Sequence, residues 1–102
     1  MIVHLLLCRP RTDVSTEERA ELEGAIASLR DVPGVRDLTW GQDFSGRGKG
    51  YDYAAVIHFA DREALQGYMS HEVHRRVVAV LDRTMEDRLV LDYDTETSGI
   101  SA

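Results

Sequence analysis

The sequence predicts an α+β fold of the ferredoxin-like βαββαβ class, a four-stranded antiparallel sheet with two helices on one face. Three observations carry that expectation. Apolar runs of strand length and amphipathic stretches of helix length follow one another in that order. The first and third runs are apolar on both faces, as in a sheet covered on both sides. The chain has 102 residues, enough for one core and too few for two. We therefore expect one domain over residues 1–95 and a flexible polar tail over residues 96–102.

The first strand spans residues 2–8 and stops at Arg9-Pro10, because proline donates nothing to a ladder. Alternation sets Val3, Leu5 and Leu7 on one face and His4, Leu6 and Cys8 on the other. Ser15-Thr16-Glu17-Glu18 fits a capping box, so a helix starts at Ser15 with Leu22, Ala25, Ile26 and Leu29 as its apolar stripe. Asp31-Val32-Pro33-Gly34 ends it. A second strand, Val35 to Phe44, carries Leu38 and Trp40 on its more apolar side, with Trp40 read as a packing or interface residue. Ser45-Gly46-Arg47-Gly48-Lys49-Gly50 lacks the spacing of a phosphate-binding loop and reads as a flexible hairpin connection. The third strand, Tyr51 to Phe59, has Tyr53, Ala55, Ile57 and Phe59 on one face and Ala54, Val56 and His58 on the other.

Asp61 caps the next helix, whose inner side holds Ala64, Leu65, Tyr68 and Met69. At Ser70-His71 the apolar phase changes, and Val73, Val77, Val80 and Leu81 form a new stripe. This predicts a kink or a fresh helix start, capped by Ser70 or His71. The break matters because in one straight helix Tyr68 and His74 would point about 120° apart. A fourth strand over Arg88 to Tyr93 has Leu89, Leu91 and Tyr93 on one face and Val90 and Asp92 on the other.

Charge and composition exclude several functions. A net charge of -6 argues against nucleic acid, whose phosphates require a basic face. The apolar opening at Met1 to Cys8 is too short to span a bilayer and lacks a positive flank, so no membrane partner is expected. A single cysteine, read as a small core residue, points to the cytosol. Two helices cover only one sheet face. Leaving Val3, Leu5, Leu7, Ala54 and Val56 of the other face in water would be costly, which predicts a symmetric homodimer.

Tyr68-Met69-Ser70-His71-Glu72-Val73-His74 puts a phenol and two imidazoles within seven residues. Imidazole titrates near neutrality, so the segment is the candidate proton-transfer site. Leu6, Tyr53, Ile57 and Phe59 line the pocket, which suits a small apolar or aromatic carbonyl compound. His71 and His74 flank Glu72, but the spacing is not His-Glu-x-x-His and no third ligand is evident, so neither metal nor cofactor is expected. Each histidine also has a structural use: His71 as a cap, His58 at the dimer face, His4 as a satisfied core group.

Tyr68-x-x-His71-x-x-His74 after the Asp61-Arg62-Glu63 helix start, with Val32-Pro33-Gly34-Val35, Gly41, Tyr51-Asp52-Tyr53-Ala54 and Met1-Ile2-Val3-His4, resembles the stress-responsive α/β barrel domain family over residues 1–94. The resemblance implies a dimeric α/β barrel and, for members that are cofactor-independent polyketide cyclases, an aldol closure. It puts the catalytic tyrosine on Tyr68, the catalytic histidine on His74 and a pocket histidine on His4. The resemblance thus implies neutral His74 as the base and Tyr68 holding a carbonyl or enolate oxygen, with His71 or His4 orienting the substrate. A further pocket histidine falls on Tyr53, and Glu72 stands where the family usually has proline. Three functions are thus expected to compete. One is a cyclase-like, lyase, isomerase or decarboxylase enzyme. The second is a non-catalytic small-molecule-binding or stress-protective homodimer, and the third a cofactor-free or haem-linked monooxygenase of the related barrel type.

Overall fold

The computed structural model describes residues 1–96, and the tail expected beyond Glu96 lies outside them. The elements are β1 (Ile2–Pro10), α1 (Thr16–Ser28) with a 3₁₀ turn (Leu29–Asp31), β2 (Val35–Gln42), β3 (Tyr53–Phe59), α2 (Arg62–Met69), α3 (Glu72–Thr84) and β4 (Met85–Asp94). The strands form one antiparallel sheet in the order β2-β3-β1-β4, the ferredoxin-like arrangement.

Local chemistry explains the boundaries. Ser15 and Glu18 form the reciprocal capping box: the Glu18 N–H donates to Ser15 Oγ at 3.1 Å and the Ser15 N–H to Glu18 Oε1 at 3.1 Å. Asp61 caps α2 by accepting from the Ala64 N–H at 2.9 Å. At the break, Ser70 closes α2 and His71 turns to extended backbone, φ -73° and ψ 145°. The His71 Nδ1 then accepts the Val73 N–H at 3.1 Å, so of the two expected caps the imidazole is the one used. The expected second helix is therefore two helices.

Several boundaries move. β2 ends at Gln42 and β3 begins at Tyr53, because the Asp43 carboxylate gathers the Ser45 and Gly46 amides at 3.0 and 3.1 Å and curls the chain out of the ladder. β4 starts three residues earlier than expected and runs along β1 to Pro10, with an irregularity at Arg9/Pro10. Met69, expected on the inner side of its helix, is 50% exposed.

The core lies between the sheet and the helices. Ile2, Leu6, Cys8, Leu38, Ala55, Ile57 and Phe59 from the strands meet Leu22, Ile26, Leu29, Leu65, Val77 and Leu81. Burial raises the Cys8 thiol to about 11, the state of a core residue and not of a nucleophile. On the opposite face Leu5, Leu7, Ala54 and Val56 are half-buried, and β4 adds Leu89, Leu91 and Tyr93 at 48%, 61% and 49% exposure. Among the described residues that apolar face has no covering layer.

Gly34 has φ +94°, and a Cβ placed there would stand 3.1 Å from the Ala64 Cβ on α2. Gly34→Ala is expected to cost about 1–3 kcal/mol from the backbone strain alone. Thermal unfolding should show a fall of several degrees.

Candidate functional site

Strand register determines which side chains share a surface. His4 of β1 lies between Ile57 on β3 and Asp92 on β4, Leu6 between Ala55 and Val90, and Cys8 between Tyr53 and Arg88. These positions all face the helices. Above the β1–β4 pair α3 supplies His74, Val77, Val78 and Leu81, and the end of α2 supplies Tyr68 and Met69. Between floor and roof is a cavity of about 300 Å³, lined also by His4, Leu6, Leu29, Arg88 and Val90.

The break after Met69 brings the aromatic groups together. The Tyr68 ring centroid is 4.7 Å from that of His74 and 5.7 Å from that of His4. Phe59 backs the phenol at 4.9 Å, which leaves Tyr68 only 2% exposed. The His4 Nδ1 is hydrogen-bonded to the Asp92 carboxylate across the β1–β4 ladder. A carboxylate accepts and does not donate, so Nδ1 carries the proton and Nε2 is free to act as acceptor.

Burial sets the protonation states. It pushes the Tyr68 phenol far up, and the charge of Asp92 adds to the effect, so the hydroxyl remains a donor. It pushes the His74 imidazole down. The Met69 carbonyl opposes this as a hydrogen-bond acceptor, while His4 and Arg88 reinforce it. His74 also lies in the first turn of α3, where the helix dipole disfavours a cation. The nitrogen bonded to Met69 keeps its proton, and the other carries a lone pair. A neutral base next to a protonated phenol at the wall of an apolar cavity is the equipment for moving a proton on carbon.

The cavity brings together four of the eight residues expected to form the site: Tyr68, His74, His4 and Leu6. The other four lie elsewhere. His71 is the α3 cap, with its Nδ1 committed to Val73. Tyr53, Ile57 and Phe59 face the helices but belong to the closed core, since β3 lies on the far side of β1 from β4 and the cavity opens along β1 and β4. Tyr53 stacks on Trp40, centroids 5.2 Å apart and planes 4° from parallel, and its buried hydroxyl has no hydrogen-bond partner among the described residues. Sequence reasoning missed Asp92 and Arg88. The available signal was two charged residues on the inward face of β4. His58 is on the outer face, 3.9 Å from Asp37. Among the described residues no three His, Cys, Asp or Glu side chains converge as metal ligands, and no helix is long and apolar enough to cross a membrane.

The model of the stress responsive A/B barrel domain matches residues 2–95. Olivetolic acid cyclase of Cannabis sativa is 24% identical over 95 residues, covering 90% of this chain and 94% of that protein. The stress-response A/B barrel domain-containing protein HS1 of Arabidopsis thaliana is 27% identical over 95 residues, 90% of this chain and 87% of its own length. Among solved structures, a dimeric ferredoxin-like protein of unknown function from Thermobifida fusca superposes with a TM-score of 0.80 at 22% identity, covering 90% of this chain and 88% of that one.

His74 should titrate in NMR with a midpoint below the ordinary value of about 6.5. As pH falls the unfolded chain takes up that proton first. The stability tied to neutral His74 is thus fully present above about 6.5 and lost as the pH drops through the folded midpoint. Denaturant midpoints measured between neutral and mildly acidic pH should fall in that direction, and His74→Ala should remove that part of the slope.

Proposed function

The chain belongs to the stress-responsive A/B barrel domain family, and from that membership we propose that it is a cofactor-independent acid–base enzyme acting on a small apolar or aromatic carbonyl compound. The observation that carries the reading is the meeting of Tyr68 and His74, ring centroids 4.7 Å apart, at the wall of one cavity. Similarity over nine-tenths of the chain to a protein named as a cyclase supports it.

In the proposed reaction His74 takes a proton from the carbon next to the carbonyl. Tyr68 donates a hydrogen bond to the oxygen on which negative charge develops. His4, held by Asp92 through its Nδ1–H, offers the Nε2 lone pair to a donor group of the substrate such as a hydroxyl. The imidazolium of His74 then returns the proton to carbon, to a new alkoxide or to a leaving group. Those three endings correspond to isomerisation, aldol closure and lyase chemistry. Burial of Tyr68 keeps the donor protonated, and the lowered His74 keeps the base available at neutral pH. The setting is the cytosol, a reading supported by the single, buried and unpaired Cys8.

The working unit is a homodimer paired through the outer sheet face. Leu89, Leu91 and Tyr93 on that face are about half exposed or more, and the Thermobifida fusca protein of the same fold is described as dimeric. Leu91→Asp should halve the mass seen by sedimentation, whereas a monomeric parent chain would refute the pairing.

Exchange of the α-protons of phenylacetone in D2O, followed by NMR, tests the chemistry. The parent chain should accelerate exchange, and His74→Ala should lower the rate by about 10²–10⁴-fold. Tyr68→Phe should also lower it, with the melting temperature of His74→Ala within a few degrees of the parent. Equal exchange by the parent and His74→Ala would leave the cavity as a binding site without proton transfer.

A further inference from the structure

The cavity wall carries one permanent charge. Of the residues that line it, only Arg88 is ionised at every accessible pH; the rest are apolar, phenolic or imidazole. Arg88 is on β4 opposite Cys8, and His4 and Asp92 form the cross-strand pair four residues further along the same face. At about 3.3 Å per residue the backbone positions of Arg88 and of the His4–Asp92 pair are about 13 Å apart along the strands. Leu6 and Val90 form the apolar floor between them. The cavity is thus bipolar: proton-transfer groups at one end, a cation at the other, a greasy span in the middle.

The ion pair of Arg88 does not account for this placement. Its Nη1 donates to Asp82 Oδ1 at 2.8 Å, but the Asp82 side chain is 61% exposed, and such surface pairs contribute little. The arginine side chain is itself only 31% exposed. A guanidinium has five donors in a planar fork, so one bond to Asp82 leaves a second edge for another carboxylate. In a chain of net charge -6, Arg88 is a local exception as the one permanent cation among the residues that line this apolar cavity.

We propose that Arg88 is the anion anchor of this site, and that the substrate carries a carboxylate separated by an apolar segment from the carbonyl that His74 and Tyr68 address. The inference rests on the cavity being the substrate site, as in the proposed function, and it narrows the substrate class from an apolar carbonyl compound to an oxo acid. Arg88 is a binding residue in this scheme and takes no part in the proton transfer.

Calorimetric titration with 7-oxooctanoate and its neutral primary amide tests the assignment on the full chain. The parent should bind the acid about 10-fold more tightly than the amide, the difference expected of a charge-assisted pair over a neutral one. Arg88→Gln should lose that preference while binding the amide as the parent does, which shows an intact cavity. Arg88→Lys, a point charge without the fork, should retain part of it. Equal affinity of the parent for acid and amide, an undiminished preference in Arg88→Gln, or no binding of the acid at millimolar concentration would each overturn the proposal. His74→Ala should still discriminate acid from amide, so a failed anchor and failed acid–base chemistry give different results.

Discussion

One hydrogen bond organises the site: the imidazole of His71 accepting the Val73 amide. An amide at a helix start needs an acceptor, and His71 provides one where α2 has just been closed by Ser70. The axis therefore changes between Tyr68 and His74. With a continuous helix the six-residue spacing would send one ring to the core and the other to water. With the restart they meet at 4.7 Å. The residue that does this is itself an imidazole, three positions from Tyr68 and three from His74, yet its Nδ1 serves the helix start.

The second determinant is strand order. β4 pairs with β1 and not with β3, so the last strand of the chain lies beside the first. Asp92 thereby reaches His4 across 88 residues of sequence and gives its ring a defined tautomer. The same ordering puts β1 between β3 and β4, so Ile57 and Phe59 of β3 serve the core and, through Phe59, the back of Tyr68. Desolvation links the two determinants. Burial keeps the proton on the phenol and a second proton off the His74 ring.

What the sequence disclosed was mainly local. The capping box at Ser15 and Glu18, the Asp61 cap and the phase change at Ser70-His71 are patterns spanning three or four residues, and each corresponds to a bond in the structure. Alternation assigned the faces of β1 and β3 correctly, since the two strands pair in unbroken register from Ile2 to Cys8 and from Tyr53 to Phe59. Boundaries set by side-chain capture of the backbone were harder to see, as at Asp43, because strand propensity continues past the residue that ends the ladder. Membership of the cavity was the least legible. Tyr53, Ile57 and Phe59 have the same inward pattern as Leu6, and only the lateral position of a strand distinguishes a closed wall from an open one. Asp92 and Arg88 were on the right face but had no visible partner until β4 was docked against β1.

β4 lies at one margin of the sheet, and two of its inward residues, Arg88 and Val90, line the cavity. Among the described residues its backbone is tied to a neighbouring strand on one side only, so side chains there can change with little disturbance to the ladder. The proton-handling groups stand on better-anchored ground: β1, held between two strands, and the paired helix ends of α2 and α3. On the proposed reading, selectivity and reactivity are thus lodged in separable parts of the chain. A lineage built on this plan could exchange its ligands by editing one peripheral strand while leaving the reactive pair untouched.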